Sequence, residues 1–166
     1  MTIPLRHARL DIVRWTNERD ARAHLTAHCP DLPPFYIGEW RTDDRISSII
    51  ARDSAGQRIW VGLMAEGGSD PWIVPTFGGL LLVSNEGLLL TDDRARILAH
   101  ESPFLDLCDV LVADTVVWIV GTSDLIRVTG TGCEVVQNGL GDWDRWSLQG
   151  DRIVVGIDGG SSEIVG

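Results

Sequence analysis

Short apolar runs separated by turn residues dominate the chain from residue 35 to its end. These runs are rich in β-branched and aromatic residues, and the gaps between them are mostly about two to six residues, which suits antiparallel hairpins. The predicted strands are 35–40, 46–52, 57–64, 72–76, 80–84, 88–91, 96–100, 110–113, 116–121, 125–129, 134–137, 145–148, 153–157 and 162–165. No segment of this region has the period of an amphipathic helix. We therefore predict a mainly β fold, with antiparallel hairpins and meanders over residues 35–166.

The N-terminal residues 1–34 follow a different pattern, which predicts a strand, a helix and a loop. Residues 8–15 form a strand-like run. Residues 17–28 follow a cap at Thr16 or Asn17, carry acidic residues in their first turn and must end before Pro30, so they predict a short helix. The total length of 166 residues suits one domain, 1–166.

Four strand–turn–strand units recur along the chain at a spacing of about 30 to 36 residues, a range typical of repeat architectures. They lie at residues 48–62, 81–91, 110–121 and 146–156. Two of them end in Trp60-Val61-Gly62 and Trp118-Ile119-Val120-Gly121, each after a polar turn. These units resemble the inner-strand pair of β-propeller blades, and the resemblance implies a propeller-like repeat. An open curved sheet or a β-sandwich would produce the same pattern.

Charge is distributed unevenly along the chain, whose net charge is −10. Residues 1–60 carry nine Arg against eight Asp and Glu, whereas residues 61–166 carry five Arg against sixteen Asp and Glu. This surplus argues against phosphate-mediated nucleic-acid binding and against an anionic membrane surface, and it would attract a basic protein. Solubility alone would also explain it. The absence of Lys excludes Schiff-base and P-loop chemistry.

The predicted location is the cytoplasm. Residues 1–7 have no apolar signal region, and the apolar runs fall far short of the roughly 20 residues that span a bilayer. The three cysteines, Cys29, Cys108 and Cys133, are odd in number and widely spaced, so we expect reduced thiols instead of a disulfide framework.

No recognisable catalytic, metal or cofactor motif is present. His24 and His28 have the spacing of metal ligands on a helix, but Leu25 stands where the zinc-protease pattern needs Glu, and no third ligand is marked. Two polar residues on an exposed helix face explain the pair better. The paired glycines fit hairpin turns and match no phosphate-binding loop. We expect no metal, no cofactor and no catalytic residue.

The segment around Trp143 mixes aromatic and acidic side chains in a predicted loop. Asp142, Trp143, Asp144 and Trp146 are the candidate binding residues, since exposed Trp beside charged neighbours is typical of protein interfaces and of sugar-stacking platforms. A Trp folded back over the end of a sheet is the alternative.

The leading functional hypothesis is a non-enzymatic acidic module that binds a basic protein partner. Its concrete form is an inhibitor or bacterial immunity-type protein that neutralises a partner such as a nuclease toxin. One alternative is a β-protein that binds carbohydrate or another small ligand through Trp143 and Trp146. A second is a hydrolase-type enzyme that uses His100, Asp residues or Cys133. Nothing in the sequence indicates an oligomeric state.

Overall fold

The computed structural model describes residues 1–38, 45–101, 107–122, 124–138, 144–156 and 163–165. These residues form sixteen β-strands and one α-helix, which confirms the predicted mainly β fold with one short N-terminal helix. The chain divides into two compact units, Met1–Phe104 and Leu105–Gly166. The prediction of a single domain stays a prediction.

The elements follow the predicted order closely. The first unit contains β1 (Thr2–Pro4), β2 (Ala8–Trp15), α1 (Glu18–His28), β3 (Phe35–Ile37), β4 (Ile46–Asp53), β5 (Arg58–Ala65), β6 (Trp72–Thr76), β7 (Gly79–Val83), β8 (Leu88–Thr91) and β9 (Ile97–Glu101). The second contains β10 (Leu107–Val112), β11 (Val117–Gly121), β12 (Asp124–Thr129), β13 (Gly132–Asn138), β14 (Arg145–Gln149), β15 (Arg152–Gly156) and β16 (Glu163–Val165).

The four predicted strand–turn–strand units are all antiparallel hairpins, namely β4–β5, β7–β8, β10–β11 and β14–β15. Two departures from the predicted pattern occur in the first unit. Strand β1, which was not predicted, pairs with β2, and β3 pairs with β5 in parallel rather than antiparallel. The parallel pairing is possible because residues 38–57, which include β4, lie between β3 and β5 in the chain and supply the required crossover length.

The first unit has three layers: a helix, a five-stranded sheet and a four-stranded sheet. The five-stranded sheet has the order β1-β2-β4-β5-β3, and the other is the meander β6-β7-β8-β9. Alternate residues of β4 face opposite layers, so Ile46 and Ile50 pack under α1 while Ile49 and Ala51 join the core between the sheets. Because both faces of this strand are covered, residues 46–51 are all buried, Ser47 and Ser48 included.

Helix α1 begins and ends where the sequence predicts. The side chain of Asn17 accepts a hydrogen bond from the backbone N–H of Asp20 at 2.9 Å, which caps the N-terminus. The helix ends before Cys29, next to Pro30, and packs Ala21 and Leu25 against the sheet. This helix spans eleven residues, and no helix in the described parts of the chain is long and apolar enough to cross a membrane.

The second unit contains the meander β10-β11-β12-β13 and the three-stranded sheet β14-β15-β16. Both sheets contribute to one apolar cluster. Trp118, which is fully buried, contacts this cluster together with Val120, Ile153 and Val155. Its indole N–H donates to the backbone oxygen of Asp151 at 2.9 Å, so the largest core side chain also joins the two sheets through a hydrogen bond.

Candidate functional site

The predicted binding loop is described only in part. Asp142 and Trp143 lie outside the described residues. Asp144 is exposed and immediately precedes β14, and its backbone N–H donates to the carbonyl of Gly156 at 3.2 Å. Trp146 is the second residue of β14. The structure therefore places two of the four predicted residues at the start of one strand.

Trp146 is anchored to its own unit. The side chain is half-buried and packs on the apolar cluster that contains Trp118. Its indole N–H donates to the Asp109 carboxylate at 2.8 Å. The polar group of the indole is therefore used inside the fold, and a partner could contact only the exposed part of the ring.

A second acidic position lies where the β10–β11 and β14–β15 turns meet. The backbone N–H of Thr115 donates to one carboxylate oxygen of Asp151 at 3.2 Å, and the Thr115 hydroxyl donates to the other. These hydrogen bonds lower the pKa of Asp151 below its usual value, because they stabilise the charged form. Asp114, next to Thr115 in the same turn, is exposed. This end of the unit therefore presents negative charge at neutral pH.

The second unit is acidic as a whole. Residues 105–166 contain ten Asp and Glu against three Arg. Among the described residues, Asp114, Glu134, Asp144 and Asp151 are exposed. Arg127 forms an ion pair with Glu134 at 3.2 Å, so one of the three cations is already used within the unit. The remaining surplus of carboxylates produces a negative field around this unit.

A buried ionic cluster in the first unit was not predicted. Glu66 is fully buried at the end of β5 and accepts two hydrogen bonds from Nε of Arg14, at 3.0 and 3.1 Å, and one from Nη2 at 2.5 Å. The Ser47 hydroxyl also donates to Glu66, at 2.6 Å. Asp70 accepts from Nη2 of Arg14 at 2.7 Å and lies 3.3 Å from Nη1 of Arg45.

The electrostatics of this cluster are balanced. The hydrogen bond to Glu66, followed by the one to Asp70, raises the pKa of Arg14 above its usual value. The hydrogen bond from Arg14 lowers the pKa of Asp70. Two guanidinium groups thus face two carboxylates, and the cluster is neutral overall.

The sequence carried one signal for this cluster. Arg14 on β2 lies two residues from Ile12, and Ser47 on β4 lies two residues from Ile49. Side chains two residues apart on a strand share a face, and Ile12 and Ile49 are core residues. A charged residue in such a register needs a buried partner. That partner, Glu66, is 52 residues away in the chain, and only the pairing of strands brings the two together.

The candidate catalytic and metal-binding residues of the sequence analysis lie on different elements of the fold. The His24 and His28 rings are 4.3 Å apart, and burial, followed by the charge of His28, lowers the pKa of His24. His100 packs near the ring of Phe35, and Cys133 is half-buried on β13. Within the described ranges, no group of three or more His, Cys, Asp or Glu could hold a metal ion.

Comparison with known proteins provides no family assignment. No protein-family model matches the chain, and a search of curated proteins finds no match.

Proposed function

We propose that this chain is a non-enzymatic acidic module that binds a basic protein and blocks its cationic surface. One observation carries the proposal: residues 105–166 hold ten Asp and Glu against three Arg. A compact unit with such a surplus attracts a cationic cleft over distances of about one Debye length, roughly 10 Å at 0.1 M salt.

The concrete form of the proposal is an inhibitor or immunity-type protein whose partner is a basic enzyme, such as a nuclease toxin. A nuclease cleft is cationic because it must bind phosphates, so a carboxylate-rich surface competes with the natural substrate for the same groups. Asp114 and Asp151, at the meeting of two turns, and Asp144, before β14, are described acids that such a cleft could contact. We also propose a cytoplasmic location, which agrees with three cysteines that are thiols and form no disulfide.

The aromatic part of the proposed interface is assigned to Trp143 and the exposed part of Trp146. Charge alone contributes little to affinity once it is screened, whereas a desolvated aromatic anchor typically contributes about 2 kcal/mol or more. The cluster contacts of Trp146 mean that an Ala substitution would also weaken the fold. Trp143→Ala is therefore the variant to measure, and we expect faster dissociation of the complex.

The salt dependence of association tests the proposal. The tagged chain captures its partner from the source cell at about 50 mM salt, and the purified pair is then measured by stopped flow. Raising the salt to about 500 mM should slow association tenfold or more, because screening removes electrostatic steering. An association rate that does not change with salt would show that the acidic surplus serves solubility alone.

A further inference from the structure

A cavity opens between the two sheets of the first unit, next to the buried ionic cluster. Its volume is about 310 Å³. The floor consists of Ile12, Met64 and Leu82, which are nearly fully buried members of the core. Pro71 and Ile73 form a side wall. A largely apolar cavity of this size is at the lower end of the range of small-molecule sites.

The cavity is open to solvent at one end and polar along one side. Met1 is 62% exposed at its rim, and the Asp70 side chain is 73% exposed. Arg14 and Ser47 supply the remaining polar lining. A ligand could therefore enter from solvent, place an apolar body on the floor and keep a polar end beside Arg14.

The hydrogen bonds already made by the lining define which polar end would fit. The Ser47 hydroxyl donates to Glu66, and Nε and Nη2 of Arg14 donate to Glu66 and Asp70. Among the described residues, none accepts a hydrogen bond from Nη1 of Arg14. This group can donate to one oxygen acceptor of a ligand.

Charged groups of both signs surround the polar side of the cavity: Arg14, Arg45 and the terminal ammonium of Met1, against Glu66 and Asp70. Arg14 is already held by two carboxylates, Glu66 and Asp70, so a third carboxylate would meet their repulsion. An ammonium group would meet Arg14, the terminal ammonium of Met1 and, beyond Asp70, Arg45. A neutral group with an oxygen acceptor avoids both penalties.

We propose that this cavity binds a small, neutral, mainly apolar molecule that presents one carbonyl-type oxygen to Arg14. This site is independent of the acidic second unit and of the proposed partner. It adds a ligand to a chain for which the sequence predicts no cofactor.

Methyl-resolved NMR of the full chain tests the site with three probes of matched length: methyl hexyl ketone, octanoate and octylamine. The ketone should shift the methyl signals of Ile12, Met64 and Leu82 in a saturable manner. Octanoate and octylamine should each bind at least about tenfold more weakly than the ketone, a difference in binding free energy of about 1.4 kcal/mol. A ketone titration without saturation at these methyl groups, or tighter binding of either charged probe, would overturn the proposal.

A pair of variants on β6 separates occupation of the cavity from general effects of a larger side chain. Ile73 faces the cavity, and Val74 is on the other face of the same strand. Ile73→Trp should weaken ketone binding about tenfold or more, and Val74→Trp should leave it within about twofold. Equal binding by the two variants would contradict the assigned site. The methyl chemical shifts of the wild-type chain test the site even if neither variant folds.

Discussion

The buried pair of Arg14 and Glu66 allows a quantitative test of how the first unit is held together. Glu66 has no exposed surface, and Arg14 donates three of its four described hydrogen bonds. Arg14→Met keeps an unbranched apolar stem but removes the guanidinium, which leaves this carboxylate buried without its cation. Breaking a buried pair from one side costs about 3–5 kcal/mol. Because the Arg14 side chain is itself 37% exposed, we expect the free energy of unfolding to fall by about 3 kcal/mol, the lower end of that range.

The double variant Arg14→Met/Glu66→Leu provides the control. Removal of both charges eliminates the uncompensated carboxylate, so most of the lost stability should return. Urea unfolding, followed by circular dichroism and Trp fluorescence, measures the free energy of unfolding for the wild type and both variants. If the single variant loses less than about 1 kcal/mol, the pair is not buried as described. If the double variant is as unstable as the single one, the loss comes from the packing of Arg14 and the charge argument is refuted.

Two further predictions concern a carboxylate and a glycine. Thr115→Val removes a hydroxyl that donates to Asp151, so the lowered pKa of Asp151 should rise toward the ordinary 3.8, as carbon-detected NMR titration would show. Since the folded pKa lies below the unfolded one, the stabilisation by Asp151 is present above about pH 3.8 and is lost as pH falls through the lowered value. In the variant this loss should be smaller and should be complete at a higher pH. Gly79→Ala would place a Cβ 1.9 Å from the carbonyl oxygen of Thr91, and we expect a loss of about 1–3 kcal/mol or more in urea unfolding. At Gly132, no heavy atom outside the adjoining residues lies within 4 Å of an added Cβ, so Gly132→Ala should change stability by less than about 0.5 kcal/mol. Equal effects of the two substitutions would contradict the packing around Gly79.

Local chemistry made most of the elements predictable from the sequence. Helix α1 has a capping Asn17, acidic residues in its first turn and Pro30 beyond its end, and each of these signals acts within a few residues. The hairpins likewise follow from apolar runs separated by short polar turns. Strand β1 was missed because Thr2–Pro4 is too short to show a period and contains a proline. The parallel pairing of β3 depends on contacts between distant segments and leaves no local signal.

The ionic cluster and the cavity could not be predicted for the same reason. Arg14 is 52 residues from Glu66 and 56 residues from Asp70 in the chain, and only the pairing of strands in the five-stranded sheet brings Arg14 and Glu66 together. The cavity forms only where the second sheet packs on the first. The aromatic candidates show the opposite case. The sequence indicated Trp146 but left open whether it faces a partner or folds back, and the hydrogen bond to Asp109 now shows how its indole is held.

Matched charge variants test the central claim of an acidic, partner-binding surface most directly. Asp114→Asn/Asp144→Asn removes two exposed charges from the second unit, and Asp31→Asn/Glu101→Gln removes two exposed charges from the first. Each double variant removes two negative charges, so the two have the same net charge. A difference between their association rates with the captured partner at about 50 mM salt therefore reports only the position of the removed charges. We predict that the second-unit variant associates several-fold more slowly than the wild type and that the first-unit variant stays within about twofold of it. Equal rates for the two variants would contradict an interface on the acidic second unit.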